Sequence, residues 1–361
     1  MSVAVPVAAS HERVSDEARV VDAHGDHRVR RRMLLIAGLV VSVVVLAVVT
    51  VLSIAYGSKP IPVGTVFRAF TDFDGSNDHL IVRSLRVPRT AVGLLAGACL
   101  GLSGAIMQGL TRNPLADPGL LGVDAGAALA VVIGIYVFDI GSLLGYVWFS
   151  YAGALVASLV VYALGSAGRT GATPVKIALA GAAMTALLGS FTSAILLLDT
   201  ETLDQFRFWN VGSIAGRDGD IARQIAPFAV VAIAVSLCTW RALDTLALGE
   251  DVARSLGASV GRNRALCAIA IVLTAGTATA ACGPIGFVGL VIPHMVRKFT
   301  GPSHRWLLPY SMILAPILLL GSDIVGRVIA RPSEVQVGIV TALVGAPFFV
   351  VLARRTRLAN L

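Results

Sequence analysis

Charged and strongly polar residues are rare in this chain, and where they gather their types suit recognition and gating rather than bond-making. Arg83, Arg86 and Arg89 precede one apolar stretch, and Arg327 and Arg331 close another. Guanidiniums take carboxylates or phosphates through paired N–H groups. Gln108, Thr111, Arg112, Asn113, Pro114, Leu115, Asp117 and Pro118 make a polar turn, broken twice by proline, between two apolar runs. A polar break at membrane depth lines a cavity or a gate. Residues 246–258 are helix-patterned yet too polar to cross a bilayer. Val252 and Leu256 share one face there, and Gly257 suits a C-cap, so the segment either lies in the interface or docks a partner. Asp323 and Arg327, four apart, suit an ion pair. Ser333 and Glu334 read as an N-cap opening the last helix.

Several chemistries are excluded. Lys59, Lys176 and Lys298 are the only lysines, and none sits in a G-x-x-x-x-G-K-[ST] phosphate loop. No H-E-x-x-H helix, nucleophile elbow or calcium loop occurs, and the six histidines show no ligand spacing. No catalytic residue, no metal site and no directly bound cofactor is expected. Energy for any pumping must come from another subunit or from an ion gradient. Cys99, Cys238, Cys267 and Cys282 stand singly and read as small packing residues.

The elements that position these groups follow from composition. Of 361 residues, 56% are hydrophobic and 14% charged, against about 25% charged in an ordinary globular domain. That excludes a soluble enzyme, a disordered chain and a secreted disulfide scaffold. The net charge of +8 falls in short groups between apolar stretches instead of on one folded face, which argues for topology over nucleic-acid binding. The expected fold is an all-α integral membrane protein. Met33–Ala55 is charge-free and exceeds the about 20 residues a span needs. Further apolar stretches cover 90–110, 119–138, 145–165, 174–198, 221–240, 263–282, 285–297, 306–330 and 335–353, giving about ten helices. The eighth, 285–297, is short and opened by Gly283 and Pro284, so a half-length helix is expected there. Gly97, Gly101 and Gly104 on the second form a stripe that lets helices approach closely.

With ten spans, the clusters at Arg28–Arg32, Arg112, Arg169 with Lys176, 241–264, Arg297 to Arg305 and Arg354–Arg357 share one side, which the positive-inside rule makes cytoplasmic. Both termini then lie there. Residues 1–32 are expected to be a polar, disordered cytoplasmic tail, and 33–361 a single transmembrane domain. Arg83, Arg86, Arg89, Arg327 and Arg331 break the rule by falling outside. A charge kept against topology needs a partner or an anionic surface.

The stretches Arg86-Val-Pro-Arg89, 101–122, 246–257 and 283–297, followed by 321–327 and 337–347, resemble in order the FecCD family, the permeases of ATP-driven importers for iron-siderophores, haem and cobalamin. The resemblance covers residues 60–353 or so. It implies a ten-helix permease subunit of the cytoplasmic membrane, paired with a second copy or a paralogue around a central pathway. An ATPase subunit that uses the ATP lies under each half, and an extracytoplasmic substrate-binding protein docks on top. It assigns docking to Arg86, Arg89 and Arg327, and ATPase coupling to Gly249, Glu250, Ala253, Leu256 and Gly257. One gate falls at Asn113 and Leu115, and a second at Thr173 and Pro174. Ferric siderophores are the expected cargo, as the family's commonest task, ahead of cobalamin or haem. Two departures stand out: the tail is longer than the family's, and Thr173-Pro174-Val175 replaces a frequent run of Ser and Thr. A gradient-driven carrier is the rival reading. It should place carboxylates at helix centres, whereas Asp117, Asp124 and Asp323 lie near ends or turns.

Overall fold

The computed structural model describes residues 8–167 and 174–358. Fifteen α-helices and no strand occur among them. In order they are α1 (Ala8–Ala55), α2 (Val63–Thr71), α3 (Asn77–Leu80), α4 (Val87–Thr111), α5 (Val123–Phe138), α6 (Leu143–Ser166), α7 (Pro174–Leu198) and α8 (Thr200–Asn210). Then follow α9 (Gly219–Cys238), α10 (Trp240–Ala247), α11 (Glu250–Ser255), α12 (Val260–Cys282), α13 (Val288–Thr300), α14 (His304–Ile329) and α15 (Val337–Leu358). A π-helical stretch, Ile81–Arg86, joins α3 to α4.

Each of the ten apolar stretches coincides with a helix, and seven helices are long and apolar enough to cross a membrane. α5, with 16 residues, and Val337–Val351 of α15 are shorter. At about 1.5 Å per residue, 16 residues fall short of a hydrocarbon core of about 30 Å. α13 has only 13 residues, as the glycine and proline before it led one to expect. Large apolar side chains stay exposed on α6, α7 and α9, among them Leu159, Leu187 and Val230. Lipid tails solvate such faces, and between their ends the helices satisfy their own backbone. The chain is a multi-pass membrane protein.

Two units divide the chain, Met1–Val44 and Val45–Leu361, with the boundary inside α1. In the first unit the helix begins at Ala8, so the stretch expected to be a disordered tail is helical from there on. Residues 8–32 hold no proline and one glycine, Gly25, among alanines, arginines and glutamates that favour helix.

In the second unit α4 is the buried axis. It packs against α9, α12, α13 and α14, and most of its residues are buried. The glycine stripe makes this possible. A Cβ on Gly97 would lie 2.6 Å from Pro316 Cα of α14, and one on Gly101 2.3 Å from the Ser311 carbonyl oxygen. One on Gly104 would lie 1.8 Å from the carbonyl oxygen of Gly289 on α13. Backbone meets backbone at these crossings, so dispersion contacts replace the hydrophobic drive that lipid cannot supply. Cys99, Cys267 and Cys282 are buried, Cys238 is exposed, and all four are free thiols.

Gly104→Ala is therefore expected to lower the melting temperature by several degrees, an overpacking cost of about 1–3 kcal/mol. Gly321→Ala, which meets nothing within 4 Å on α14, should leave it unchanged or slightly raised. Thermal unfolding of both variants in detergent checks the contrast.

Candidate functional site

The end of α1 leaves carbonyls without intrahelical partners, because a helix cannot bond its last turn. Three arginines from elsewhere supply the donors. Arg86 Nη1 donates to the carbonyls of Ile54 (3.0 Å) and Ala55 (2.5 Å), and Nη2 to that of Lys59 (2.5 Å). Arg327 Nη1 donates to the carbonyls of Ser53 (3.0 Å) and Tyr56 (2.9 Å), and Nη2 to Ser53 Oγ (3.0 Å). Arg331 donates to the Gly57 carbonyl at 2.8 and 3.2 Å. Cations at a helix C-terminus also meet the negative end of its dipole.

Asp323 holds this cluster together. Its Oδ1 lies 2.6 Å from Arg89 Nη2 and its Oδ2 2.8 Å from Arg327 Nη2, the i, i+4 pair that the spacing suggests. Arg89 Nη1 also reaches Glu334 at 2.7 Å. Burial pushes the Glu334 carboxyl up, but the charge and hydrogen bond of Arg89 outweigh it and hold the group below the usual glutamate value. Glu334 is thus no helix cap: α15 opens three residues later, at Val337, and a long-range partner has claimed the side chain.

Arg86, Arg89 and Arg327, to which the resemblance assigns docking, turn their guanidiniums toward groups of their own chain. Arg86 is 5% exposed and Arg327 1%, and Arg89 is committed to two carboxylates. A desolvated guanidinium takes whatever acceptors are in reach, and here they are internal. The partner demanded by charges against topology is the chain itself.

At the other end of α4, Arg112 closes the helix in the left-handed conformation, φ 51°. Asn113 Oδ1 then accepts the Leu115 N–H at 2.9 Å and Asp117 Oδ1 that of Gly119 at 2.8 Å, fixing two successive tight turns. A 3₁₀ turn, Pro118–Leu121, leads into α5. Thr279 of α12 donates to Asp124 Oδ1 at 2.8 Å. Burial, and after it the charge of Asp124, push the Asp117 carboxyl up to about 6 against the pull of the Gly119 N–H. Asn113 is exposed and Leu115 half-buried. Of the second expected gate, Thr173 lies outside the described residues, and Pro174 is the first residue of α7.

The segment 246–258 is two helices, not one. Gly249, at φ +98°, separates α10 from the six-residue α11, and Gly257, at φ +79°, ends the turn after it, as its C-cap reading required. Ala253 is fully buried, and Glu250 is tied to Arg264 and, at 3.2 Å, to Arg254. Both residues, to which the resemblance assigns ATPase coupling, thus turn toward their own chain. Leu248, Val252 and Leu256 are the large apolar side chains it exposes, Leu256 at 67%. Among the described residues no group of three or more His, Cys, Asp and Glu could hold a metal.

Sequence reasoning missed the carbonyls of residues 53–57, which leave no trace in residue types, and Arg217, a single arginine in the loop before α9. Its only local signal is the pair of glycines Gly212 and Gly216, both at positive φ.

Asp323→Asn leaves two buried guanidiniums without their shared charge and is expected to cost about 3–5 kcal/mol in thermal unfolding. Glu334→Gln should cost clearly less, because Arg89 keeps Asp323. Asp117 gives a pH signature. Its folded pKa, about 6, lies above the ordinary 3.8, so the native state takes up a proton in that window. Its ionised form destabilises fully above pH 6 and not at all well below 3.8. Melting temperature should fall between about pH 4 and 6 and level off above that, and Asp117→Asn, which keeps an acceptor for Gly119, should flatten that slope.

Residues 29–355 match the FecCD transport family. The chain is 46% identical over 310 residues to the ferric enterobactin transport system permease protein FepD of Escherichia coli (strain K12), covering 86% of this chain and 92% of that one. It is 43% identical over 303 residues to the probable siderophore transport system permease protein YfiZ of Bacillus subtilis (strain 168), covering 84% and 91%. A solved inward-facing structure assigned to the metal-chelate type of ABC transporter superposes with a TM-score of 0.76 at 28% identity, covering 88% of this chain and 98% of that one. The chain belongs to the FecCD transport family.

Proposed function

We propose that this protein is the membrane-spanning permease subunit of an ATP-binding-cassette importer for ferric siderophores. One observation carries the reading: the chain matches siderophore-system permeases at more than 40% identity over nine-tenths of their length. The absence of a phosphate loop from the whole sequence agrees with it, since ATP is then bound and hydrolysed by separate subunits. In this reading the ten apolar helices cross the cytoplasmic membrane, both termini are cytoplasmic, and the subunit pairs with a second copy or a paralogue. Cobalamin or haem are the alternative cargoes within the same family.

The ATPase docks on the segment of α10 and α11. Gly249 and Gly257 shape it, Glu250 fastens it to Arg264 of α12, Ala253 is buried beneath it, and Leu248, Val252 and Leu256 form the apolar contact. Movement of this segment switches the paired subunits between outward-open and inward-open packings, with Asn113, Leu115, Thr173 and Pro174 at the inner gate. The arginine-rich end of α4 is the face toward the binding protein. Arg86, Arg89 and Arg327 set its positive potential from within, which steers docking more than it adds affinity. A gradient-driven carrier fits less well, because Asp323, a candidate ion-coupling carboxylate, is consumed by Arg89 and Arg327.

Leu256→Asp, at an exposed position, should leave the permease folded while the ATPase subunit no longer co-purifies and ferric-siderophore uptake falls at least tenfold. Uptake that persists with an ATPase unable to hydrolyse ATP would sink the importer reading.

A further inference from the structure

Among the described residues around the end of α1, Arg217 is the arginine whose burial no partner explains. It is 4% exposed, and its buried Nε has no hydrogen-bond partner. The loop that carries it is held firmly: Ser213 N donates to the Cys282 carbonyl at 2.7 Å, and Gly338 N to that of Gly212 at 3.0 Å. The side chain lines a cavity of about 310 Å³ together with Lys59, Arg86, Arg89, Arg327 and Glu334.

The charges do not balance. Asp78 pairs with Lys59, Asp323 with both Arg89 and Arg327, and Glu334 with Arg89. Counting Arg331 of the same cluster, three carboxylates thus face six cations, and the three left over are Arg86, Arg331, which has the Gly57 carbonyl, and Arg217. Arg86 has its neutral carbonyls. For Arg217 the described residues offer no hydrogen-bond or ion-pair acceptor, and its Nε is buried without one. A buried, uncompensated guanidinium beside other arginines is costly, and in a membrane protein such a charge marks a functional position.

We infer that this cavity is an anion site in which Arg217 receives a carboxylate. The inference rests on the importer reading only for the source of that carboxylate. It is either a side chain of the docking binding protein or a group on an anionic solute entering from the same side. Arg217 is suited to it because its fork of N–H groups is pre-positioned and unspent, and a carboxylate accepts two parallel bonds from such a fork.

The test uses the full permease with its ATPase subunits in nanodiscs, as wild type, Arg217→Lys and Arg217→Gln. Citrate is the free probe, against sodium chloride at equal ionic strength. Citrate should raise the wild-type melting temperature by about 2 °C or more, through binding to the folded state alone. The rise should be reduced in Arg217→Lys and absent in Arg217→Gln. If the binding protein supplies the carboxylate, Arg217→Gln weakens its association about tenfold or more and citrate competes with it. If a solute supplies it, association is unchanged while the KM for a carboxylate-bearing cargo rises and that for a neutral cargo does not. ATP-dependent uptake with no citrate response, and with association and uptake unchanged in Arg217→Gln, overturns the site and leaves the importer standing. A citrate response lost in Arg217→Gln, in a protein whose uptake ignores ATP, supports the site and removes the importer.

Discussion

The arrangement at the end of α1 rests on one requirement: backbone carbonyls and guanidiniums taken out of water must find each other. Five successive carbonyls, from Ser53 to Gly57, are met by Arg327, Arg86 and Arg331. The excess positive charge this brings is answered at one point, Asp323, which touches both Arg89 and Arg327. Neither half is stable alone. Without the carbonyls the arginines would be buried without acceptors, and without Asp323 they would repel one another in a medium of low dielectric.

The same helix that delivers Arg89 to this cluster carries the glycine stripe and ends at the broken turn around Asn113. Contacts at Gly97, Gly101 and Gly104 press α4 against α13 and α14 at backbone distance. Close packing of this kind leaves little room for sliding, so α4, α13 and α14 respond to force as one body. The two ends where charge is concentrated are thereby joined through a rigid spine instead of through a chain of polar contacts.

What the sequence revealed depended on whether a residue's role is local. The ten apolar stretches, the short helix after Gly283 and Pro284, and the Asp323–Arg327 pair are all set by neighbours within a few positions, and all were legible. Glu334 follows Ser333 in a pattern that fits a helix start, yet Arg89 is 245 positions away and takes it. Helical periodicity groups Ala253 with exposed neighbours, because it gives the face and not what covers it. Arg86 and Arg327 announced that they needed partners, but the partners are main-chain atoms, which every residue type carries alike. Arg217 was silent for the opposite reason: its environment is assembled from four separate segments.

The bonds from Arg327 to Ser53 also impose an order of events. They join positions 274 apart, so during synthesis α1 is made and inserted long before α14 exists. Until then Arg86 can reach the carbonyls of Ile54 and Ala55, but those of Ser53 and Tyr56 have only water at the membrane surface. Sealing of that end is a late step, reached when nearly all the apolar helices are in place. A chain that stops or misinserts before α14 keeps an unfinished, wettable helix end, and quality-control proteases are suited to detect such a defect.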